Sequence, residues 1–216
     1  MPTVFITGGT GFMGRSLIVE LLRRGHAVKG LVRAGSEKKL PNGCEVVPGD
    51  ALDRNSFASR IPPAETFVQL VGVTHPNPSK KDEFRAVDLG SARASIDAAR
   101  AAGVAHFVYV SVAQPAPVMK FYIAVRAEVE QMIRESGMNA TILRPWYVLG
   151  PGRRWPLFLL PMYWLLEKFP NTRQSARRLG LVTLPQMVAA LVRSIENPAK
   201  GMRILEVPDI RGDRSE

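Results

Sequence analysis

Gly8, Gly11 and Gly14 follow a short apolar run and open a helix-spaced apolar segment, and no other feature of the chain restricts its fold so tightly. The run is Thr3-Val4-Phe5-Ile6-Thr7. The segment runs from Arg15-Ser16-Leu17-Ile18-Val19 to Leu21-Leu22-Arg23-Arg24, and Gly25 closes it. The pattern predicts strand, tight turn and helix. Gly8 lets the chain turn sharply. Gly11 lets the backbone approach a bound group with no Cβ in the way. Gly14 lets the helix pack close to the strand. The helix N-terminus then offers unpaired N–H groups and partial positive charge, which suit a pyrophosphate. The spacing is G-x-x-G-x-x-G, not the G-x-G-x-x-G of many dinucleotide-binding turns.

The run Thr7-Gly8-Gly9-Thr10-Gly11-Phe12-Met13-Gly14 resembles the cofactor loop of the short-chain dehydrogenase/reductase superfamily, most of all its extended and atypical branches of epimerase/dehydratase type. The resemblance implies an α/β fold, a doubly wound parallel (Rossmann) sheet, with a nicotinamide dinucleotide on Gly8, Thr10, Gly11, Phe12, Met13 and Gly14. It is good over residues 1–152 and loose thereafter. The expected organisation is a Rossmann core over 1–152 and a small substrate-side part over 153–216, integrated with that core. So small a substrate part suits a modest or apolar ligand better than a nucleotide sugar.

The second strand, Ala27 to Arg33, ends in an arginine nineteen residues after Gly14. A carboxylate here would bind the ribose 2′-hydroxyl of NAD, whereas an arginine favours the 2′-phosphate of NADP. Arg15, Ser36, Lys38 and Lys39 add charge or donors nearby. The expected cofactor is therefore NADP(H) ahead of NAD(H). A third strand, Cys44 to Val47, leads into Gly49-Asp50-Ala51-Leu52-Asp53. By the resemblance, Asp50 binds the adenine amino group and Leu52 packs on the ring. Asp53 reads as the N-cap of a helix over Arg54 to Arg60.

Thr66 to Val73 is an apolar run fit for the middle of a parallel sheet. Val71, Gly72 and Val73 fall where the family's backbone passes the cofactor ribose. His75 on the following loop is either a substrate contact or an exposed side chain. Lys81 to Ala102 reads as one long helix, in the family often at a dimer interface, so a homodimer is an open expectation. His106 to Ser111 is the fifth strand. Eleven residues on, Tyr122 and Arg126 share a helix face at i and i+4. The superfamily's catalytic set is a serine after this strand and a Tyr-x-x-x-Lys on the next helix, which maps onto Ser111, Tyr122 and Arg126. Tyrosine would act as general acid or base, which calls for its pKa to fall from about 10 toward neutral. Arginine in place of lysine keeps the charge but has a bulkier, planar fork. That leaves two functions open: an NADP-dependent oxidoreductase, or a non-catalytic NADPH-binding sensor or structural subunit.

Asn139 to Arg144 is the sixth strand, and Pro145, Trp146 and Val148 inherit the family's passage along the nicotinamide face. Residues 144–178 hold seven arginines and lysines against Glu167 alone, within a chain of net charge +10. No nucleic-acid-binding module accompanies this charge, so no nucleic-acid partner is expected. Trp155 to Leu166 is the most apolar stretch. Its twelve residues, broken by Pro156 and Pro161, fall short of the about 20 needed to span a bilayer. It reads as a buried helix, a lid over the site, or, with flanks out to Lys168, a membrane-surface contact. Further elements are a strand over Arg178 to Leu184, a helix over Pro185 to Asn197, a strand over Met202 to Val207 and a frayed tail after Ile210. The single cysteine, Cys44, excludes an internal disulfide and a cysteine-rich metal site, and no metal is expected. The N-terminus lacks a signal-peptide pattern, which makes a cytoplasmic location the default expectation.

Overall fold

Successive side chains of a β-strand point to opposite faces, and here both faces are apolar. Val4 and Ile6 point one way and Phe5 the other; Phe67 alternates with Val68, and Phe107 and Tyr109 alternate with Val108 and Val110. Such strands demand helices on both sides. The computed structural model, which describes residues 2–73, 77–116, 118–151 and 179–213, shows that arrangement.

The main sheet contains β1 (Thr3–Thr7), β2 (Ala27–Val32), β3 (Glu45–Pro48), β4 (Thr66–Gln69), β5 (His106–Val110), β6 (Ala140–Leu143) and β9 (Met202–Leu205). Its order is β3-β2-β1-β4-β5-β6-β9, and every pairing is parallel. A separate parallel pair joins β7 (Tyr147–Leu149) to β8 (Leu181–Thr183). On one face, α1 (Phe12–Arg23), α5 (Leu184–Glu196) and α6 (Val207–Arg211) bury Leu17, Ile18, Leu21, Leu191 and Ile210 against Val4, Ile6, Val68 and Val108. On the other, α3 (Gly90–Ala101) and α4 (Lys120–Glu135) cover Phe5, Phe67 and Phe107. Phe57, Phe5, Phe67 and Phe107 form a stacked row across the strands, with centroids 6.0, 5.1 and 5.4 Å apart. The doubly wound parallel sheet is as the sequence predicts.

The element boundaries differ in ways that matter for the site. The expected strand Thr66 to Val73 leaves the ladder after Gln69. The Gln69 side chain takes the Val71 amide at 3.0 Å, and Asp88 takes the Val73 amide at 2.9 Å. The Leu70 amide still reaches the Thr7 carbonyl, at 3.2 Å, and residues 71–73 are held out of the sheet. The expected helix over Lys81 to Ala102 is interrupted: α2 (Lys81–Glu83) passes into a π-helical turn, Phe84–Leu89, before α3. Such turns insert a residue and re-aim side chains, and this one buries Asp88. Arg54 to Arg60 forms two 3₁₀ turns instead of a helix, with Asp53 accepting from the Asn55 amide at 3.0 Å.

At the C-terminal end, the last strand stops at Leu205. Val207, expected to end that strand, and Arg211, expected in the frayed tail, instead delimit α6. Reciprocal caps between Glu206 and Asp209 start it, and buried Val207 and Ile210 hold it. The segment Trp155 to Lys168, His75 and the arginines at 153, 154, 173, 177 and 178 lie outside the described residues. Among the described residues no helix is long and apolar enough to cross a membrane.

Candidate functional site

The strand order reverses between β1 and β4, and the chain leaves these strands in opposite lateral directions. A crevice forms at their C-terminal ends, where open α/β sheets bind ligands. The turn after β1 builds one wall. Gly8 sits at φ +75°, and a Cβ there would stand 2.8 Å from the Leu70 carbonyl carbon and 2.9 Å from the Val71 nitrogen. Glycine is therefore required both by the left-handed backbone and by the contact with the β4 exit. A Cβ on Gly14 would collide with the Gly8 carbonyl oxygen and lie 2.7 Å from the Gly9 Cα, so this glycine sets how closely α1 seats on the turn.

Gly11 is different. Its backbone is extended (φ −77°, ψ 176°), and a Cβ would meet only the Gly8 oxygen, at 3.1 Å. Nothing inside the protein demands glycine there as strongly as at Gly8 and Gly14. Gly11 is also the N-cap of α1, with no side-chain cap and no acidic residue in the first turn. The helix N-terminus thus keeps its partial positive charge for a ligand.

A cavity of about 240 Å³ opens beside this turn. It brings together Gly8, Gly11, Phe12, Met13 and Gly14 from the β1 turn, Gly72 and Val73 from the β4 exit, and Ser111 from the β5 exit. Tyr122 and Arg126 come from α4, and Pro145, Trp146 and Val148 from the β6 exit. Leu70, Val110, Val112 and Tyr147 complete the lining; they are neighbours of expected positions that carry no chemical signal of their own. Thr10 and Arg15 face instead a groove of about 950 Å³ on the far side of α1, with Lys38, Lys39 and the first turns of α5. The two spaces meet at Gly11 and Phe12. Arg33, Asp50, Leu52 and Val71 line neither. Arg33 is exposed just beyond β2, with no side-chain partner among the described residues; Asp50 is exposed beyond β3, where its carboxylate caps the Leu52 amide at 3.0 Å. Both stand at the same sheet edge as the glycine turn.

Tyr122 packs on Phe84, with ring centroids 4.9 Å apart, and the Arg126 guanidinium carbon lies 5.1 Å from its ring centroid. Burial pushes the Tyr122 hydroxyl up from its ordinary value while Arg126 pulls it down, and burial wins. The expected fall toward neutral is therefore absent in the protein alone. Burial is the main reason, and Arg126, which would lower the pKa, is itself engaged. Its Nη1 donates to the Val110 carbonyl at 2.9 Å and the Tyr109 hydroxyl at 3.1 Å, and its Nη2 donates to the buried Asp88 carboxylate. Burial raises the Asp88 carboxyl, against the opposing pull of Arg126 and the Val73 amide.

Ser111 is likewise committed. Its hydroxyl donates to Glu130 at 2.5 Å, and the same carboxylate accepts from Gln114 at 2.9 Å and twice from Arg144, at 3.0 and 2.5 Å. Arg144 also pairs with Glu206 at 2.9 Å. Ser111 therefore offers the cavity lone pairs, and Tyr122 is left as the hydroxyl donor. Sequence reasoning missed Asp88 and Glu130. Both are acids in helical segments with a polar pattern, and only the fold brings them to Arg126, and to Ser111 and Arg144. Cys44 is no rival nucleophile, since burial pushes its thiol up to about 11.

A nicotinamide dinucleotide fits these residues on two observations. Gly11 leaves an open cradle beside an uncapped helix N-terminus. Arg126 lines the cavity, and its buried Nε has no hydrogen-bond partner among the described residues, an orphaned donor that a bound polar group would satisfy. Among the described residues no cluster suited to a metal ion is found.

Comparison with known proteins agrees. Residues 8–153, more than half of the chain, match the model of an NAD(P)H-binding family. The ceramide reductase of Caulobacter vibrioides is 30% identical over 212 residues, which cover 97% of this chain and 65% of that protein. The chain thus spans just under two thirds of that relative's length. Two solved structures share the fold: the Bordetella bronchiseptica enzyme WbmH in complex with NAD+ and MoeE5 in complex with UDP-glucuronic acid and NAD. The first has TM-score 0.70 at 22% identity, over 95% of this chain and 76% of its own. The second has TM-score 0.72 at 20% identity, with the same coverages. With its glycine turn at the switch point and this match, the chain belongs to the NAD(P)H-binding family.

Proposed function

We propose that this protein is an NADP(H)-dependent reductase of a carbonyl group on a small or apolar substrate. The observation that carries the reading is the single cavity joining the glycine turn to Ser111, Tyr122 and Arg126. A bound reduced nicotinamide supplies a hydride. The α1 N-terminus and Gly11 would receive the pyrophosphate, and Arg126 would offer a ribose hydroxyl a donor. Tyr122 donates a hydrogen bond to the substrate carbonyl and passes its proton to that oxygen as the π bond opens. Ser111, fixed by Glu130, orients the group from its lone pairs. Leu70, Val73, Val112, Pro145 and Trp146 give the reacting end an apolar wall that limits water. The resemblance to a protein named for reducing ceramide supports an apolar substrate.

Arg33, Arg15, Lys38 and Lys39 support the choice of NADP(H), since Arg33 has no side-chain partner among the described residues and no carboxylate ends β2. The engagement of Arg126 by Asp88 favours a second reading, a protein that binds NADPH without turning it over. Tyr122→Phe separates the two. NADPH oxidation with a panel of apolar ketones should fall by about 100-fold or more in the variant while NADPH affinity is unchanged. No turnover by the native protein, with NADPH bound, would favour the non-catalytic reading.

A further inference from the structure

Arg126 lies four residues after Tyr122 on one face of α4 and, as a free cation, would stabilise the tyrosinate. It is not free. The Asp88 carboxylate, which the π-helical turn buries, receives its Nη2, and the other Asp88 oxygen accepts the Val73 amide from the cavity rim at 2.9 Å. A Cβ on Gly72 would stand 2.5 Å from Arg126 Nη2 and 3.1 Å from Asp88 Oδ1, so the ion pair runs directly beneath the Gly72 backbone. Val110 and Tyr109 hold Nη1 from β5. Asp88 is 1% exposed and Arg126 is 7% exposed, which leaves solvent little part in screening either charge.

We propose that Asp88 is a positioning residue of this site: it pins Arg126 beneath Gly72 and cancels its charge, so that the pair offers the cavity a hydrogen-bond donor instead of a cation and Tyr122 serves as a proton donor. The inference rests on the reductase reading of the same cavity and adds what sets its direction. In reduction, a bound reduced nicotinamide would supply the hydride to the carbonyl carbon, the π electrons would move to oxygen, and that oxygen would take the Tyr122 proton. Water returns a proton to the tyrosinate. Alcohol oxidation needs the tyrosinate first, and its rate should level off only at alkaline pH. The charged and titratable groups that face Tyr122 among the described residues are Arg126 on α4, Asp88 on the π-helical turn and Tyr109 on β5. Arg126 favours the anion, and Asp88 opposes it.

The test is a tyrosinate-absorbance titration of cofactor-free protein, with each variant repeated on a Tyr122→Phe background to isolate that group. Asp88→Asn should move the Tyr122 titration down by about one pH unit, because a negative charge has left its side. Asp88→Leu combined with Arg126→Met removes both charges with apolar groups of similar bulk, a replacement that buried ion pairs commonly tolerate. It should raise the titration by less than about one unit, because Asp88 offsets most of the pull of Arg126. No movement in Asp88→Asn overturns the proposal. So does a rise beyond about one unit in the double replacement, which would mean that Arg126 had acted as an uncompensated cation. Should Asp88→Asn fail to fold, the double replacement decides alone. Calorimetric titration of the native protein with NADPH runs beside these. Absence of binding there would sink the reductase reading while leaving the tyrosine result standing.

Discussion

The two walls of the crevice are built on opposite plans. The β1 turn contributes backbone: three glycines, an uncapped helix end and no charged side chain at the cavity itself. The opposite wall, at the exits of β5 and β6, contributes side chains, and its charges are paired before any ligand arrives. Asp88 takes Arg126, while Glu130 takes Arg144, Ser111 and Gln114. The difference teaches where binding and chemistry are each made robust. A backbone cradle depends on local conformation and tolerates change around it. A buried charge network depends on every member, because removing one strands the others.

The sharpest way to break this contrast is on the side-chain wall. Glu130→Ala strips the Gln114 amide of its acceptor and leaves Arg144 with Glu206 alone, in a place where Glu130 is 3% exposed. Stability should fall by about 3–5 kcal/mol in urea unfolding. A loss below about 1 kcal/mol would mean that the network is not cooperative. A control comes from the far end of the sheet. His106 at the start of β5 is buried, with Nε2 3.0 Å from Thr141 Oγ1 and, among the described residues, no partner on Nδ1. Burial, with Arg203 adding to it, lowers its pKa from 6.5 to about 4. The unfolded chain therefore binds the extra proton first. Stability is full above about 6.5 and declines as pH falls toward about 4, by on the order of 3 kcal/mol. His106→Leu should flatten that slope while leaving cofactor affinity unchanged. The smallest effect is at the cofactor's other end. Arg33→Ala should remove most of the preference for NADPH over NADH, about 1.5–3 kcal/mol of binding, with little change in affinity for NADH.

The same contrast explains what was legible in the sequence. The glycine turn could be read because its spacing is local and each glycine answers a local constraint. So could the parallel sheet, whose alternating apolar strands require cover on both faces. Tyr122 and Arg126 could be paired because i and i+4 share a helix face. Asp88 could not be tied to Arg126, 38 residues away, because the link runs through a π-helical turn that a helical pattern does not reveal. Nor could Glu130 be distinguished from the other acids of α4. The early end of β4 and the folding of residues 207–211 into α6 were hidden for a related reason. Each is decided by side chains reaching a backbone amide, Gln69 and Asp88 in one case and the Glu206–Asp209 caps in the other.

The central claim is that the crevice between the ends of β1 and β4 binds a nicotinamide dinucleotide through the backbone at Gly11. The most direct measurement is calorimetric titration of NADPH into the native protein and into Gly11→Val. Gly11 has an extended backbone that valine adopts freely, and its Cβ would meet only the Gly8 oxygen, so the variant should stay folded by circular dichroism. The account predicts saturable binding to the native protein and none to the folded variant, because the valine side chain occupies the pyrophosphate's place. Equal binding to both proteins would contradict it.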